Sequence, residues 1–111
     1  MSESPIEVDV TTVNMMLQQN DEFLLLDVRE TVEHATAKID GSTLIPMSEL
    51  RDRFEELDAH REKRIVVHCH HGGRSMQVVQ VLRAQGFEKA QNMAGGIDQW
   101  SQQIDPEVPR Y

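Results

Sequence analysis

The sequence predicts a three-layer α/β domain, with a central, mostly parallel sheet of five strands and helices on both faces. Three features point there. Phe23-Leu24-Leu25-Leu26 and Ile65-Val66-Val67 are short apolar runs bounded by polar or turn residues, the pattern of strands buried on both faces. Longer amphipathic stretches separate such runs, so strands and helices alternate along the chain. A length of 111 residues leaves room for one core, which makes residues 1–111 a single domain.

The elements follow in order. Ile6-Glu7-Val8 is the first strand, and Thr11 or Thr12 caps a helix through Val13, Met16 and Leu17 toward Asn20. The second strand is the Phe23–Leu26 run, and the alternation calls for a helix after it. Thr43-Leu44-Ile45 is the third strand, stopped by Pro46. Ser48 caps a helix through Leu50 and Phe54 to about Leu57, and the charges from Arg51 to Glu56 read as its solvated face. Ile65-Val66-Val67-His68 is the fourth strand. Ser75 opens the strongest helix, where Met76, Val78, Val79, Val81 and Leu82 recur at helical spacings, and Gly86 suits a left-handed residue at its end. Lys89 to Met93 is the fifth strand. Gly95-Gly96 then turns into a short helix whose Trp100 packs on the sheet. The methionines, Met15-Met16 among them, read as gap-filling core residues.

Composition excludes several classes. The single cysteine, Cys69, permits no internal disulfide and no cysteine-based zinc cage, and it suits a reducing compartment. With 11 basic against 19 acidic residues, the net charge of −8 argues against nucleic-acid binding, which needs a basic face. The polar start Met1-Ser2-Glu3-Ser4-Pro5 is unlike a signal peptide. No apolar run nears the ~20 residues of a membrane helix. The expectation is a cytoplasmic monomer with no membrane association.

The chemistry concentrates after the fourth strand. In open α/β sheets, ligands bind beyond the carboxyl ends of the strands, where loops lead into helix N-termini. There the chain places Cys69, the tight loop His70-His71-Gly72-Gly73-Arg74, and Ser75 at the helix start. Paired glycines let the loop turn several N–H groups inward, and the helix's positive end adds to them. Both favour a thiolate, the nucleophilic form of cysteine. A lone cysteine is more often a small packing residue; the strand–Cys–Gly-Gly–Arg–helix context favours catalysis. No metal is expected at His68, His70 and His71, because adjacent residues in a tight turn splay apart and no further ligand has the right spacing. These histidines are expected to line the pocket mouth. With Lys63, Arg64 and Arg74 they suggest a local basic ring that would face an anionic acceptor. His34 and His60 read as surface residues, and no cofactor is called for.

The loop Cys69-His70-His71-Gly72-Gly73-Arg74-Ser75 resembles the active-site loop of single-domain rhodaneses, the thiosulfate-type sulfurtransferases. Leu25-Leu26-Asp27-Val28-Arg29-Glu30 is similar to that family's "LDVRE" segment. Glu33-His34 through Ile39-Asp40-Gly41 to Ile45-Pro46 resembles its "EH…I.GA..IP" stretch, and Met93 to Trp100 its "L.GG…W" motif. Ala35, Thr36 and Ala37 replace a glycine-rich stretch, and Ser42 a usual alanine. The tail Ile104–Tyr111 is similar to the end of rhodanese domains fused to adenylyltransferases that serve molybdopterin, thiamine or tRNA thiolation.

The resemblance implies a rhodanese-like fold and a persulfide carried on Cys69, stabilised by loop residues His70, His71, Gly72, Gly73, Arg74 and Ser75. It implies a small-molecule sulfur donor such as thiosulfate, or a protein persulfide. The acceptor would be cyanide, a dithiol or a sulfur-carrier protein. Arg74 either holds an anionic donor or pairs with a carboxylate to brace the loop. Asp27 and Arg29 are expected as a structural ion pair beside it. Two rivals stand. Cysteine phosphatases carry one residue more between Cys and Arg than the four found here, a larger cradle suited to phosphate. A non-catalytic rhodanese-like module would bind only a partner, and such modules often lack the cysteine.

Overall fold

The structure, a computed structural model, describes residues 5–111. The start of the chain, read above as unlike a signal peptide, otherwise lies outside the described residues. Five strands and five α-helices alternate: β1 (Glu7–Val8), α1 (Val10–Gln18), β2 (Leu24–Asp27), α2 (Thr31–Thr36), β3 (Thr43–Leu44), α3 (Leu50–Arg53), β4 (Ile65–His68), α4 (Gly73–Ala84), β5 (Ala90–Met93) and α5 (Gly96–Gln103). The sheet runs in the order β1-β5-β4-β2-β3, and every pairing is parallel. The three-layer α/β expectation holds, with β4 at the centre.

Side-chain alternation along the strands builds the layers. Leu26, Ile65 and Val67 enter a core shared with Leu50, Leu57, Val78, Val79 and Leu82, beneath α3 and α4. Their neighbours Leu25 and Val66 point the other way, into a core with Val13, Met16, Ile97 and Trp100 beneath α1 and α5. Both faces of the central strands are thus covered, which is why their sequence reads as unbroken apolar runs.

Four local expectations change. Asp9, not Thr11 or Thr12, caps α1: its Oδ1 accepts the Thr12 N–H at 2.8 Å, and the buried stripe becomes Val10, Val13 and Met16. Met15 is half exposed and lies outside the core. Ser48 caps no α-helix; it sits in a 3-10 turn, Met47–Glu49, and its hydroxyl donates to Glu30 Oε1 at 2.7 Å. A further 3-10 segment, Phe54–His60, replaces the second half of the expected third helix.

Arg29 and Asp27 are both fully buried at the carboxyl end of β2. Arg29 donates to both Asp27 carboxylate oxygens, at 2.9 and 2.7 Å, and to the carbonyls of Glu33 and Ala37. Burial pushes the Asp27 carboxyl up, but Arg29, His68 and His34 together hold it below the ordinary carboxylate value. The expected structural pair is therefore present, and it also ties β2 to α2. Arg29→Met removes the guanidinium from a buried carboxylate, leaving it His34 and the backbone N–H of residue 29, and is expected to cost about 3–5 kcal/mol. Urea denaturation of the two proteins checks this.

Candidate active site

Cys69 follows the last residue of β4 and is only 1% exposed. Gly72, at φ +111°, is the N-cap of α4, so the helix starts at Gly73, two residues before the expected Ser75. That left-handed turn aims the loop amides at the sulfur. Cys69 Sγ accepts from Gly72 N–H at 3.1 Å, from Ser75 N–H at 3.4 Å, and lies 3.3 Å from the Ser75 hydroxyl. Burial pushes the Cys69 thiol up, but the Ser75 hydroxyl and the N–H groups of Ser75, Gly72 and His71 together hold it below the ordinary thiol value.

A second stretch of backbone closes on the loop. Ile97 N–H donates to Cys69 O at 2.9 Å, and Asp98 N–H to His70 O at 3.1 Å. Between these strands of contact lies Gly96, at φ +61°, where a Cβ would stand 2.4 Å from His70 O and 2.6 Å from Cys69 O. Only glycine fits that approach.

Arg74 makes a bidentate ion pair with Glu33 of α2, at 2.7 and 2.9 Å. Hydrogen bonding to Arg74 takes the Glu33 carboxyl down to about 2. The brace extends to the tail. Tyr111 donates to Glu33 Oε2 at 2.9 Å, accepts from Arg29 at 3.0 Å, and its ring stacks on His70 at 4.0 Å. Arg74 thus has the carboxylate partner that was one of its two expected roles.

Several expected site residues are placed elsewhere. His68 does not line the mouth: it is fully buried in the sheet, its ring nitrogens have no hydrogen-bond partner, and burial takes its pKa down to about 4, so the ring is neutral. The basic ring does not form either. Lys63 and Arg64 precede β4, roughly 17 Å of extended chain from Cys69, and engage Glu22 and Gln91. His34 is not an idle surface residue, because its Nδ1 lies 2.9 Å from Asp27 Oδ2. His70 and His71 do flank the loop, with stacked rings 3.9 Å apart rather than splayed. Together with Asp98 they offer three donor atoms within 4.8 Å of one another, the group able to hold a cation among the described residues. The Asp98 carboxylate already accepts from Arg110 and Gln102.

Sequence reasoning missed Glu33, Tyr111 and Asn92. Asn92 is a buried β5 residue whose Oδ1 accepts from Ser75 at 2.5 Å. The available signal was a polar side chain inside a buried strand. An apolar groove of about 520 Å³ between α3 and α4, lined by Met47, Leu50, Phe54, Val78 and Val81, includes no loop residue.

Residues 9–103 match the family described as "Rhodanese-like domain". The chain belongs to the rhodanese-like domain family. A sulfurtransferase of Allochromatium vinosum is 30% identical over 95 residues, covering 86% of this chain and 87% of that protein. The maize adenylyltransferase and sulfurtransferase MOCS3-2 is 35% identical over 101 residues, covering 86% of this chain but 21% of the maize protein. This rhodanese-like domain spans between 21% and 31% of the length of the first four curated relatives it matches. The human single-domain sulfurtransferase TSTD1 superposes with a TM-score of 0.79 at 28% identity, over 90% of this chain and 98% of that one. Among the described residues, no helix is long and apolar enough to cross a membrane.

Two glycines of this rhodanese-like domain separate close approach from mere flexibility. Gly96→Ala must move the Cys69–His70 carbonyls and is expected to cost about 2–4 kcal/mol and to slow alkylation of Cys69. Gly73→Ala meets nothing within 4 Å and should leave both near the parent values. Thermal melts and iodoacetamide rates measure the pair.

Proposed function

We propose that this chain is a sulfurtransferase that carries a sulfane sulfur as a persulfide on Cys69. The donor is thiosulfate or a protein persulfide, and the acceptor is cyanide, a dithiol or a carrier protein. The observation that carries the reading is the convergence of loop N–H groups on a nearly inaccessible sulfur at the N-terminus of a 12-residue helix. Such a cradle supplies inward N–H groups and positive potential for an anionic sulfur. The matching-length sulfurtransferase of Allochromatium vinosum supports it.

The reaction balances without a cofactor. Cys69 thiolate attacks the outer sulfur of thiosulfate; a new S–S bond forms on Cys69 as the donor's S–S bond breaks, and sulfite leaves with the electron pair. The persulfide anion then loses its terminal sulfur to a nucleophile, for example cyanide giving thiocyanate, and the thiolate returns. The loop amides and the helix N-terminus hold negative charge on sulfur throughout. The left-handed turn at Gly72 lets those amides converge, and Ser75 adds its N–H and hydroxyl. His70 and His71 flank the mouth, while Arg74 acts as brace through Glu33 rather than as an anion clamp. That use of the arginine also disfavours the phosphatase reading, in which it would bind phosphate. Because the chain has one cysteine, no second thiol can resolve the persulfide internally, and the sulfur leaves to an outside acceptor. A reducing location such as the cytoplasm suits that chemistry.

Mass spectrometry after thiosulfate incubation should find an adduct of about 32 Da on Cys69, removed by cyanide with formation of thiocyanate. Cys69→Ala should abolish transfer and keep the fold. A folded wild-type chain that takes up no sulfur would leave the partner-binding module as the reading.

A further inference from the structure

Ser75 presents one hydroxyl proton to two acceptors. Its Oγ lies 2.5 Å from Asn92 Oδ1 and 3.3 Å from Cys69 Sγ. A proton shared between both makes two weakened, bent bonds, and a full bond to one forgoes the other. The orientation of the Asn92 amide is fixed by its other end: Nδ2 donates to Glu7 Oε2 and to Gly72 O, each at 3.2 Å, so the carbonyl oxygen must face Ser75. All three residues are buried, Ser75 fully and Asn92 and Cys69 to 1% exposure, so water does not supply a substitute donor.

We propose that Asn92 is a positioning residue for the reactive sulfur, acting through Ser75 by competing with Cys69 for the single hydroxyl proton. With a neutral thiol, the amide oxygen is the better acceptor and holds the proton, leaving an Oγ lone pair to take the Cys69 S–H. When the sulfur carries charge, as thiolate or persulfide, the hydroxyl turns to it and the Asn92 oxygen is left unpaired. The N–H groups of Gly72 and Ser75 face the sulfur in every state, because the backbone fixes them. The Ser75 hydroxyl is the one donor in the cradle that rotates, and Asn92 sets what its rotation costs. No atom is gained or lost; only the hydroxyl torsion changes.

This deepens the sulfur-transfer reading, which supplies the persulfide state, but its test reads the thiolate alone. The Cys69 pKa is measured from the pH dependence of iodoacetamide alkylation in the full chain. Asn92→Ala and Asn92→Val free the Ser75 proton and should each lower that pKa by about one unit, a tenfold change in ionisation. Ser75→Ala removes the donor and should raise it by a similar amount. In the Ser75→Ala background the Asn92 substitutions should have no further effect. If Asn92 only holds the loop through Gly72 O, its loss raises the pKa and does so with or without the Ser75 hydroxyl, which overturns the proposal. An unchanged pKa in Ser75→Ala overturns it as well, even where the Asn92 variants do not fold. A chain that shows the predicted pKa pattern yet takes no sulfur from thiosulfate contradicts only the sulfurtransferase reading.

Discussion

The rest of the site depends on how closely two backbones approach: the Cys69–His70 loop and the start of α5. Ile97 and Asp98 donate to the two loop carbonyls across the space that Gly96 leaves open. With those carbonyls drawn outward to α5, the peptide groups that follow turn their N–H ends back toward Cys69. The left-handed turn at Gly72 completes the reversal and starts α4 on the sulfur's side. Four residues separate Cys69 from Arg74, so the whole reversal is made within one short loop.

The second support is ionic. Asp27 and Arg29 leave the carboxyl end of β2, which is paired to β4 in register with His68 opposite Asp27. From Arg29 the network runs through Tyr111 to Glu33 and from Glu33 to Arg74 at the far end of the reactive loop. Buried charge needs partners, and each charge here has at least one. The loop is thereby tied through Arg74 and Glu33 to α2 and through Tyr111 to Arg29. Arg74 is the clearest case, since its position at a helix start would also suit an anion clamp.

The fold was legible because its strands are buried on both faces, and Leu24–Leu26 and Ile65–Val67 therefore read as unbroken apolar runs. The reactive loop was legible for a local reason: cysteine, paired glycines and a helix start lie within seven residues. What failed was tertiary. α2 buries no residue and has no apolar stripe, so the alternation required it but no periodicity located it. His34, Glu33 and Tyr111 gain their roles from partners on other elements, which spacing cannot show. The basic ring failed because Lys63 and Arg64 lie at the opposite end of β4 from Cys69. His70 and His71 stack where splaying was expected, and the Tyr111 ring stacks on His70 in turn. Asn92 gains its partner from α4, since Ser75 donates to its Oδ1, and strand periodicity does not show such a contact.

The loop donors hold the Cys69 thiol below its ordinary value although burial alone would raise it. The most direct measurement is the Cys69 ionisation constant in the folded chain and in the same chain unfolded by urea, read by thiolate absorbance. Stabilisation by the loop predicts a folded pKa below the unfolded one. A folded value equal to or above the unfolded one would contradict it, since desolvation would then outweigh every donor in the cradle.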